Sequence, residues 1–338
     1  ILSVEYQEYC IRQNHISGDE NHFFEFKKIL TEEKNREAIY QKYSALKDLL
    51  EQDISQLVAF LIELLHRFKE DSAEIFSKIF RFNEKSNTQF ILEDINFSGD
   101  SHNFGKSVAI LSIKYNNESY KLVYKPKNPD LDLLIEKISR LFLHELKHAL
   151  KILRIVPKEK YFWSEYISHL PCNDKKEVEA FYYRFGVLIF LAYVLSGNDL
   201  HYENLIANGS HPVILDNECF FYPYINLEND TPENIISTKN IMSSMLVQIN
   251  VNQQEISALF GLDLDEPITQ KNLIISNTGK VEVKSVNFSK QIKLSPNKPK
   301  LKSGEELFAV GFWKEIIEGF KNAYLAFLRH KIEILDAS

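Results

Sequence analysis

The chain has 338 residues, which is long enough for two or three structural units around buried cores. Apolar residues make up 44% and charged residues 26%, as in an ordinary globular protein. The formal net charge of −7 excludes a global positive field, so nucleic-acid binding is not expected. The longest apolar run, residues 185–195, is too short to cross a bilayer, and no integral membrane segment is predicted.

The three cysteines, Cys10, Cys172 and Cys219, are far apart in the sequence and form no CxxC pair. This spacing argues against a disulfide framework and favours a cytoplasmic location. The chain begins at Ile1 without the charged start of a signal peptide, which favours a part of a longer polypeptide.

Residues 1–88 are predicted to form a helical N-terminal region, because apolar side chains recur every three or four positions across residues 43–71. We interpret this region as a supporting or partner-binding layer. The periodicity then changes. Residues 90–97 and 107–115 are typical of strands on either side of a glycine loop, and a third strand ends at Pro126. This antiparallel meander and the helix after it (129–153) predict a domain over residues 89–168.

Residues 169–338 are predicted to form a mainly helical domain. A mostly apolar helix over 175–197 is closed by Gly197, and two short strands follow on either side of a turn at Asn208 and Gly209. The remaining chain is predicted to be mainly helix, with a polar loop over 285–305.

The glycine loop "GDSHNFGKS", Gly99 to Ser107, superficially resembles a Walker A phosphate loop. Five residues instead of four separate Gly99 from Gly105, and a strand rather than a helix follows. A Walker A loop is therefore excluded. A glycine loop between antiparallel strands still covers phosphates in protein kinases, and a plain hairpin loop remains the alternative.

The segment "HELKH" matches the HExxH pattern of zinc proteases, with His144 and His148 one helical turn apart. The same face also carries Lys137, Arg140 and Lys151, whose positive charges repel Zn²⁺. We keep a zinc metalloprotease only as the weaker alternative.

The segment "NDLHYENLI…VILDNE" follows the kinase order of a catalytic Asp, an Asn and a metal-binding Asp. Asp199 is predicted to orient or deprotonate the substrate hydroxyl, while Asn204 and Asp216 hold Mg²⁺ against the phosphates of ATP. His201 stands where kinases usually carry a Lys and is predicted to assist at the transferred phosphate. Lys125 on the third strand is predicted to neutralise the other phosphates.

Kinases fix such a lysine with a glutamate from the next helix. Glu145 and Glu136 are both candidates for this role, and the sequence leaves the choice open. Taken together, the glycine loop, the strand lysine, D-L-x-x-x-N and the second Asp predict a site for phosphoryl transfer from ATP.

These segments resemble the dehydratase domain of class II lanthipeptide synthetases, the LanM-type enzymes. The resemblance rests on "GDSHNFGKSV", "LVYKPK", "NDLHYENLIANGSHPVILDNE", "EISALFG" and "GFKNAYLAFL", and it covers roughly residues 90 to 330. It implies an α+β fold with a protein-kinase-like (lipid-kinase-like) bilobal core and a helical N-terminal extension. It also implies phosphorylation of Ser and Thr in a ribosomal precursor peptide, which has a leader and a Ser/Thr-rich core. Phosphate elimination then gives dehydroalanine or dehydrobutyrine.

The resemblance also implies roles for individual residues. Those that fall on the family's phosphorylation positions are Lys125, Asp199, His201, Asn204 and Asp216. Asp100 and His102 of the glycine loop fall on positions tied mainly to elimination.

The sequence departs from the family pattern at Lys106, which replaces an Arg, and at Asn217, Glu218 and Cys219 after the metal Asp. The family's further Arg and Thr for elimination, and the zinc-dependent cyclase, are expected beyond this chain in a fused parent protein. A non-catalytic pseudokinase that binds a peptide or partner is the main alternative function.

Overall fold

The computed structural model describes residues 1–14, 20–82, 90–102, 105–221, 244–247, 250–251, 254–255, 269–275, 281–287 and 296–337. The chain divides into two compact units. The first unit comprises Ile1–Lys69, Ser101–Lys106 and Glu266–Gln291, and the second comprises Glu70–Asp100, Ser107–Asp265 and Ile292–Ser338. The division of the sequence at residues 88 and 168 stays a prediction.

The structure combines α-helices and β-strands. The helices are α1 (Leu2–Gln13), α2 (Glu20–Ile29), α3 (Glu33–Lys42), α4 (Ser44–Ile75), α5 (Asp130–Phe142), α6 (Lys175–Val194), α7 (Trp313–Arg329) and α8 (Lys331–Ala337). The strands are β1 (Ile91–His102), β2 (Lys106–Tyr115), β3 (Glu118–Lys125), β4 (Ile155–Pro157), β5 (Phe162–Glu165), β6 (Leu205–Asn208), β7 (His211–Ile214), β8 (Asn250–Val251), β9 (Gln254–Glu255), β10 (Thr269–Ile275) and β11 (Val281–Asn287).

The first unit contains the predicted N-terminal helices. Tyr6 and Cys10 of α1 pack against Phe23 and Phe26 of α2 in a small buried cluster. The rings of Tyr6 and Phe23 meet edge to face with their centroids 4.9 Å apart, which is a favourable aromatic geometry. The helical prediction for this part of the chain agrees with the structure.

A five-stranded sheet in the second unit carries the predicted meander, in the order β1-β2-β3-β5-β4. Alternate residues of β2 (Ala109, Leu111 and Ile113) are fully buried, as the period of two predicts for a strand with one covered face. Helix α5 connects β3 to β4. It has a pronounced apolar face, and Ile135 and Ile138 on that face pack into the main core.

Asp71, at the end of α4 that belongs to the second unit, contacts the sheet of the same unit. Its buried carboxylate accepts hydrogen bonds from Trp163 Nε1 at 2.8 Å and from the Tyr161 hydroxyl at 2.9 Å. The ammonium of Lys158 lies 2.8 Å from the other carboxylate oxygen. Both oxygens of the buried Asp71 carboxylate therefore have partners, as buried polar groups in proteins generally do.

Helix α6 is the centre of the second unit, and its residues are buried almost all the way round. The Asp174 side chain caps it by accepting from the backbone N–H of Glu177 at 3.0 Å. Among the residues that the structure describes, no helix has both the length and the apolar character to cross a membrane.

Helices α6 and α7 cross at two glycines. A Cβ on Gly186 would lie 2.0 Å from the carbonyl oxygen of Ile316, and one on Gly319 would lie 1.9 Å from that of Tyr183. Only glycine fits at these points, because each backbone touches the other. The resemblance segment "GFKNAYLAFL" thus contains a residue whose identity the helix packing dictates.

The structure corrects three expectations. The helix expected over 129–153 ends at Phe142, and a 3-10 turn (Leu143–Glu145) follows. After this turn the backbone carbonyls accept hydrogen bonds from other parts of the chain. The buried Arg184, for example, donates from Nε to the carbonyl of Ala149 at 2.8 Å.

Strand β1 continues through Gly99 to His102, so the predicted glycine loop is largely strand. Part of the mainly helical tail is a hairpin of β10 and β11, and β11 occupies the start of the polar loop expected over 285–305. The helix expected over 239–249 lies largely outside the described residues; residues 244–247 form no α-helix.

Candidate active site

The β6–β7 hairpin brings the backbone of Asn204 next to Leu215, the residue before Asp216. Leu205 pairs with Ile214, and the backbone N–H of Leu215 donates to the carbonyl of Asn204 at 2.9 Å. Asn204 directly precedes β6, and Asp216 directly follows Leu215. The separation of the two residues in sequence is thus the consequence of a hairpin with a two-residue turn.

The loop before β6 holds the predicted catalytic Asp199. Asn204 Nδ2 donates to the Asp199 carbonyl at 2.8 Å, and the buried Sγ of Cys219 lies 3.5 Å from the same oxygen. The Asp199 side chain itself is 63% exposed. The backbone is therefore fixed, while the carboxylate stays accessible to a substrate.

His201 is oriented by the same loop. Its Nδ1 accepts from the backbone N–H of Glu203 at 3.2 Å, so the neutral ring carries its proton on Nε2. That Nε2 lies 3.7 Å from Asp199 Oδ1. The ring thus presents an N–H donor next to the Asp199 carboxylate.

Lys125 is buried at the end of β3. Its ammonium donates to the carbonyl of Leu215 and lies 5.5 Å from the centroid of the Phe162 ring. Burial and the nearby charge of Lys127 lower the pKa of Lys125, while Asp216 opposes this shift. The predicted strand lysine therefore meets the backbone of the residue directly before the predicted metal Asp.

Asp216 is paired with a lysine that the sequence argument did not single out. Lys127 Nζ lies 2.7 Å from Asp216 Oδ1 and 2.9 Å from Glu218 Oε1. Burial acts to raise the pKa of Asp216, but the charges of Lys127 and Lys125 outweigh it and the pKa is lowered. Asp216 Oδ1 also accepts from the backbone N–H of Glu218 at 3.1 Å. The carboxylate is ionised and already attracts a cation.

Asp132, in the first turn of α5, adds a second carboxylate. It is 7% exposed and accepts from Asn217 Nδ2 at 2.8 Å. Burial raises the pKa of Asp132 against the attraction of Lys125 and Lys127. Asp132 is therefore the acidic residue of α5 that interacts electrostatically with Lys125.

The two glutamates considered as partners of Lys125 bind elsewhere. Glu136 lies 2.8 Å from Arg140 Nη2. Glu145 accepts from Arg329 and from His330 Nε2, the latter at 2.6 Å. Both glutamates are thus engaged away from Lys125, and Asp132 is a carboxylate of α5 whose charge acts on Lys125.

The glycine loop is described only in part. Gly99 has φ 74°, in the region that favours glycine, and the backbones of Asp100 and His102 belong to β1. The side chains of Asp100 and His102 lie outside the described part of the structure. Their role in elimination stays a prediction.

The end of the loop belongs to the first unit. Gly105 has φ 84°, and Lys106 directly after it lies 2.6 Å from Glu63 of α4. Strand β2 begins at Lys106, which agrees with the exclusion of a Walker A loop. The lysine that replaces the family's Arg is thus held in an ion pair.

The "HELKH" segment does not form the helix that a zinc site requires. His144 lies in the 3-10 turn, with Nδ1 3.2 Å from the carbonyl of Arg140. His148 lies beyond that turn, where its ring contacts the edge of Tyr183. Among the described residues, no group of three or more His, Cys, Asp or Glu is placed to bind a metal. His144 and His148 therefore do not lie one turn apart on a helix, as the zinc protease alternative requires.

The sequence does not indicate three residues that contact the candidate site, namely Lys127, Asp132 and Glu218. A weak sequence signal exists for Lys127. Lys127 follows Lys125 by two positions, and such residues share a face wherever a strand continues. Asp132 lies within an amphipathic helix, where an acidic residue in the first turn is ordinarily a solvent-exposed one. Its burial depends on tertiary packing and has no local signature.

Two comparisons with known proteins show what the chain is similar to. The curated "Lacticin 481/lactococcin biosynthesis protein LcnDR2" of Lactococcus lactis subsp. lactis is 26% identical over 320 residues. The alignment covers 88% of this chain and 33% of the relative, so the chain spans about a third of that protein's length. The model of the family described as "Domain of unknown function (DUF4135)" matches residues 43–338. Since this match includes most of the chain, the protein belongs to the DUF4135 family.

Proposed function

We propose that this chain is an ATP- and Mg²⁺-dependent enzyme that phosphorylates Ser and Thr side chains of a ribosomally made precursor peptide. In this proposal the fold is a protein-kinase-like bilobal core. Phosphorylation is the first step of dehydration to dehydroalanine or dehydrobutyrine in lanthipeptide biosynthesis. The proposed substrate has a leader and a Ser/Thr-rich core, the proposed location is the cytoplasm, and a fused cyclase is proposed for the parent protein.

One observation carries the proposal: the backbone of Leu215 accepts from the buried Lys125 and donates to the carbonyl of Asn204, and Asp216 is the next residue. Phosphoryl transfer needs this combination of a phosphate-binding cation and oxygen ligands for a metal. The order of three strands, a helix and two further strands ahead of the site supports a kinase-like N-lobe. The biosynthetic setting is supported by the name of the lactococcal relative.

The residues present fit a hard cation. Asp216 supplies a carboxylate, and Asn204 supplies a side-chain oxygen because its amide nitrogen is used by the Asp199 carbonyl. Mg²⁺ is usually bound by one or two protein oxygens together with substrate phosphates and water. The ammonium of Lys127 next to Asp216 is an observed cation at this carboxylate. When bound, Mg²⁺ would neutralise charge on the phosphates.

The protein groups then have separate roles in the proposed reaction. Lys125 offers a buried ammonium to the phosphates. The attraction between opposite charges is stronger at a buried site than in water. The exposed carboxylate of Asp199 accepts the proton of the attacking Ser or Thr hydroxyl. His201 directs its Nε2–H toward this centre and can donate to the transferred phosphoryl group. Asp100 and His102 are proposed for the later elimination.

The test is isothermal titration of the protein with Mg·ATP. Lys125→Ala and Asp216→Asn should each lower the affinity about ten- to a hundred-fold, because each loses a charged contact to the nucleotide or its metal. Lys121→Ala is the matched control, since Lys121 is an exposed residue of the same strand whose ammonium lies over the Tyr166 ring. Wild-type affinity in both site variants would refute the site.

Mass spectrometry separates catalysis from the pseudokinase alternative. Incubation with Mg·ATP and a precursor peptide should give phosphopeptide. Tight Mg·ATP binding without any phosphopeptide, across several precursor peptides, would favour a non-catalytic peptide-binding domain instead.

A further inference from the structure

Lys127 forms an ion pair with Asp216, the carboxylate to which the proposed function assigns the metal. Its ammonium lies between Asp216 and Glu218, at 2.7 and 2.9 Å, and its side chain is only 19% exposed. Attraction to both carboxylates outweighs the cost of burial and raises the pKa of Lys127, so the group is charged. This is a partly desolvated ion pair, unlike the many exposed pairs elsewhere on the surface.

The ion pair and a divalent cation compete for the same carboxylate. Asp216 Oδ1 accepts from Lys127 and from the backbone N–H of Glu218, which leaves little capacity on that oxygen. A divalent cation at Asp216 would also repel the adjacent ammonium across a few ångströms of partly buried space. Metal alone must therefore displace Lys127 from Asp216, which leaves the half-buried ammonium with Glu218 as its remaining carboxylate partner.

A nucleotide removes this difficulty. The ammonium of Lys125 donates to the carbonyl of Leu215, and that of Lys127 donates to the carboxylate of the next residue, Asp216. Triphosphate oxygens bound at Lys125 would offer Lys127 an anionic partner in exchange for Asp216. Metal can then bind the Asp216 carboxylate while Lys127 keeps two anionic partners.

We propose that Lys127 is a second phosphate-binding lysine that holds Asp216 until nucleotide arrives, so that the site rejects a divalent cation alone and accepts it together with ATP. This inference rests on the proposed function and deepens it by naming the residue that couples the two ligands. Lys127 thereby acts on metal selectivity, whereas Lys125 remains the primary phosphate contact.

The experiment measures Mn²⁺ binding without nucleotide, by electron paramagnetic resonance of the free ion. Lys127→Gln should bind Mn²⁺ about ten-fold more tightly than wild type, because the competing cation is gone. Lys127→Met retains the apolar stem and should behave likewise, which guards against a folding defect in one variant. Lys127→Arg keeps the charge and should bind as weakly as wild type.

Two further variants test whether the change in Mn²⁺ affinity arises at Asp216. Lys121→Gln removes a charge from strand β3, where Lys121 lies over the Tyr166 ring, and should leave Mn²⁺ affinity unchanged. The double variant Lys127→Gln/Asp216→Asn should lose the gained affinity. In titrations with metal-free ATP, Lys127→Gln should bind about ten-fold more weakly than wild type, since a phosphate contact is lost.

Equal Mn²⁺ affinity in wild type, Lys127→Gln and Lys127→Met overturns the inference, as does the absence of Mn²⁺ binding in both charge-removal variants. The proposed function has a separate criterion, namely Mg·ATP binding by the wild type. Gained Mn²⁺ affinity at Asp216 in a protein that fails to bind Mg·ATP would support competition by Lys127 and refute the kinase proposal.

Discussion

Asp199 adopts a backbone conformation that few residues other than glycine accept. Its φ of 58° lies in the left-handed region, where Asp and Asn are the best tolerated of the other residues. The carbonyl is held by Asn204 and contacts Cys219, so neighbouring contacts stabilise the conformation. Backbone strain of this kind concentrates at functional sites, which fits the catalytic role proposed for Asp199.

Asp199→Asn separates the chemistry of this residue from its conformation. Asparagine accepts the same φ but is a far weaker base, so phosphopeptide formation should slow about 100- to 10,000-fold. Mg·ATP affinity should stay near the wild-type value, because the metal ligands are unchanged. Quenched time courses by mass spectrometry measure the rate, and titration measures the affinity. An unchanged rate would remove Asp199 from the mechanism.

At the level of helices, the crossing of α6 and α7 depends on two glycines in mutual backbone contact. Gly319→Ala should destabilise the protein by about 1–3 kcal/mol or more, because a Cβ there overlaps the Tyr183 carbonyl and the helices must separate. Denaturant unfolding gives the free energy. Gly311→Ala is the control, since a Cβ at Gly311 meets nothing within 4 Å. Equal stability of the two variants would contradict this packing.

The elements that could be predicted from the sequence are those with a local cause. Helix α6 shows its apolar run and an N-terminal Asp, and β2 shows alternation, so both were placed within a few residues. Strands β4 and β5 are only three and four residues long, and they exist because β5 pairs with the distant β3. No period can be detected in so short a segment.

The candidate site shows the same division. Asp199, Asn204 and Asp216 could be predicted because one hairpin sets their spacing along the chain. Lys127 and Asp132 were missed because their importance lies in contacts with Asp216 and Asn217, across about 85 to 89 residues of sequence. Buried charge is a property of tertiary structure, and the sequence shows only that the charge exists.

At the scale of the second unit, a charged cluster joins the end of α5 to the C-terminal helices. Glu145 contacts Arg329 and His330, which lie 184 and 185 residues further along the chain. Hydrogen bonds from His330 and Arg329 lower the pKa of Glu145 to about 2. Bonds to Glu145 and Glu333 raise the pKa of His330. The cluster thus makes stability depend on pH.

The sign follows from the direction of the His330 shift. The pKa of His330 is higher in the folded protein than in the unfolded chain, where it is about 6.5. The contribution of His330 to the free energy of unfolding is therefore complete below the unfolded-state pKa. It is lost as pH rises through the folded-state pKa. The Tm of wild type minus that of His330→Gln should therefore fall between pH 6 and pH 8.5. Calorimetry at several pH values measures the difference. His169→Gln is the control, since the His169 ring contacts the carbonyl of Lys298. A difference that rises with pH would contradict the assignment.

The β6–β7 hairpin sets a rule for which sequence changes the protein can tolerate. Its turn residues, Gly209 and Ser210, lie at the far end of the hairpin from Asp216. Gly209 has φ 58°, which favours glycine, and the Ser210 carbonyl accepts from Arg184 Nη1 at 2.7 Å. The number of turn residues is fixed as well, because side chains alternate between the two faces of a strand. One inserted residue would shift the pairing of Leu205 with Ile214 and displace Asp216, while leaving every named residue in the chain. A change of the Ser210 side chain is thus compatible with the site, whereas a change in the length of the turn is not.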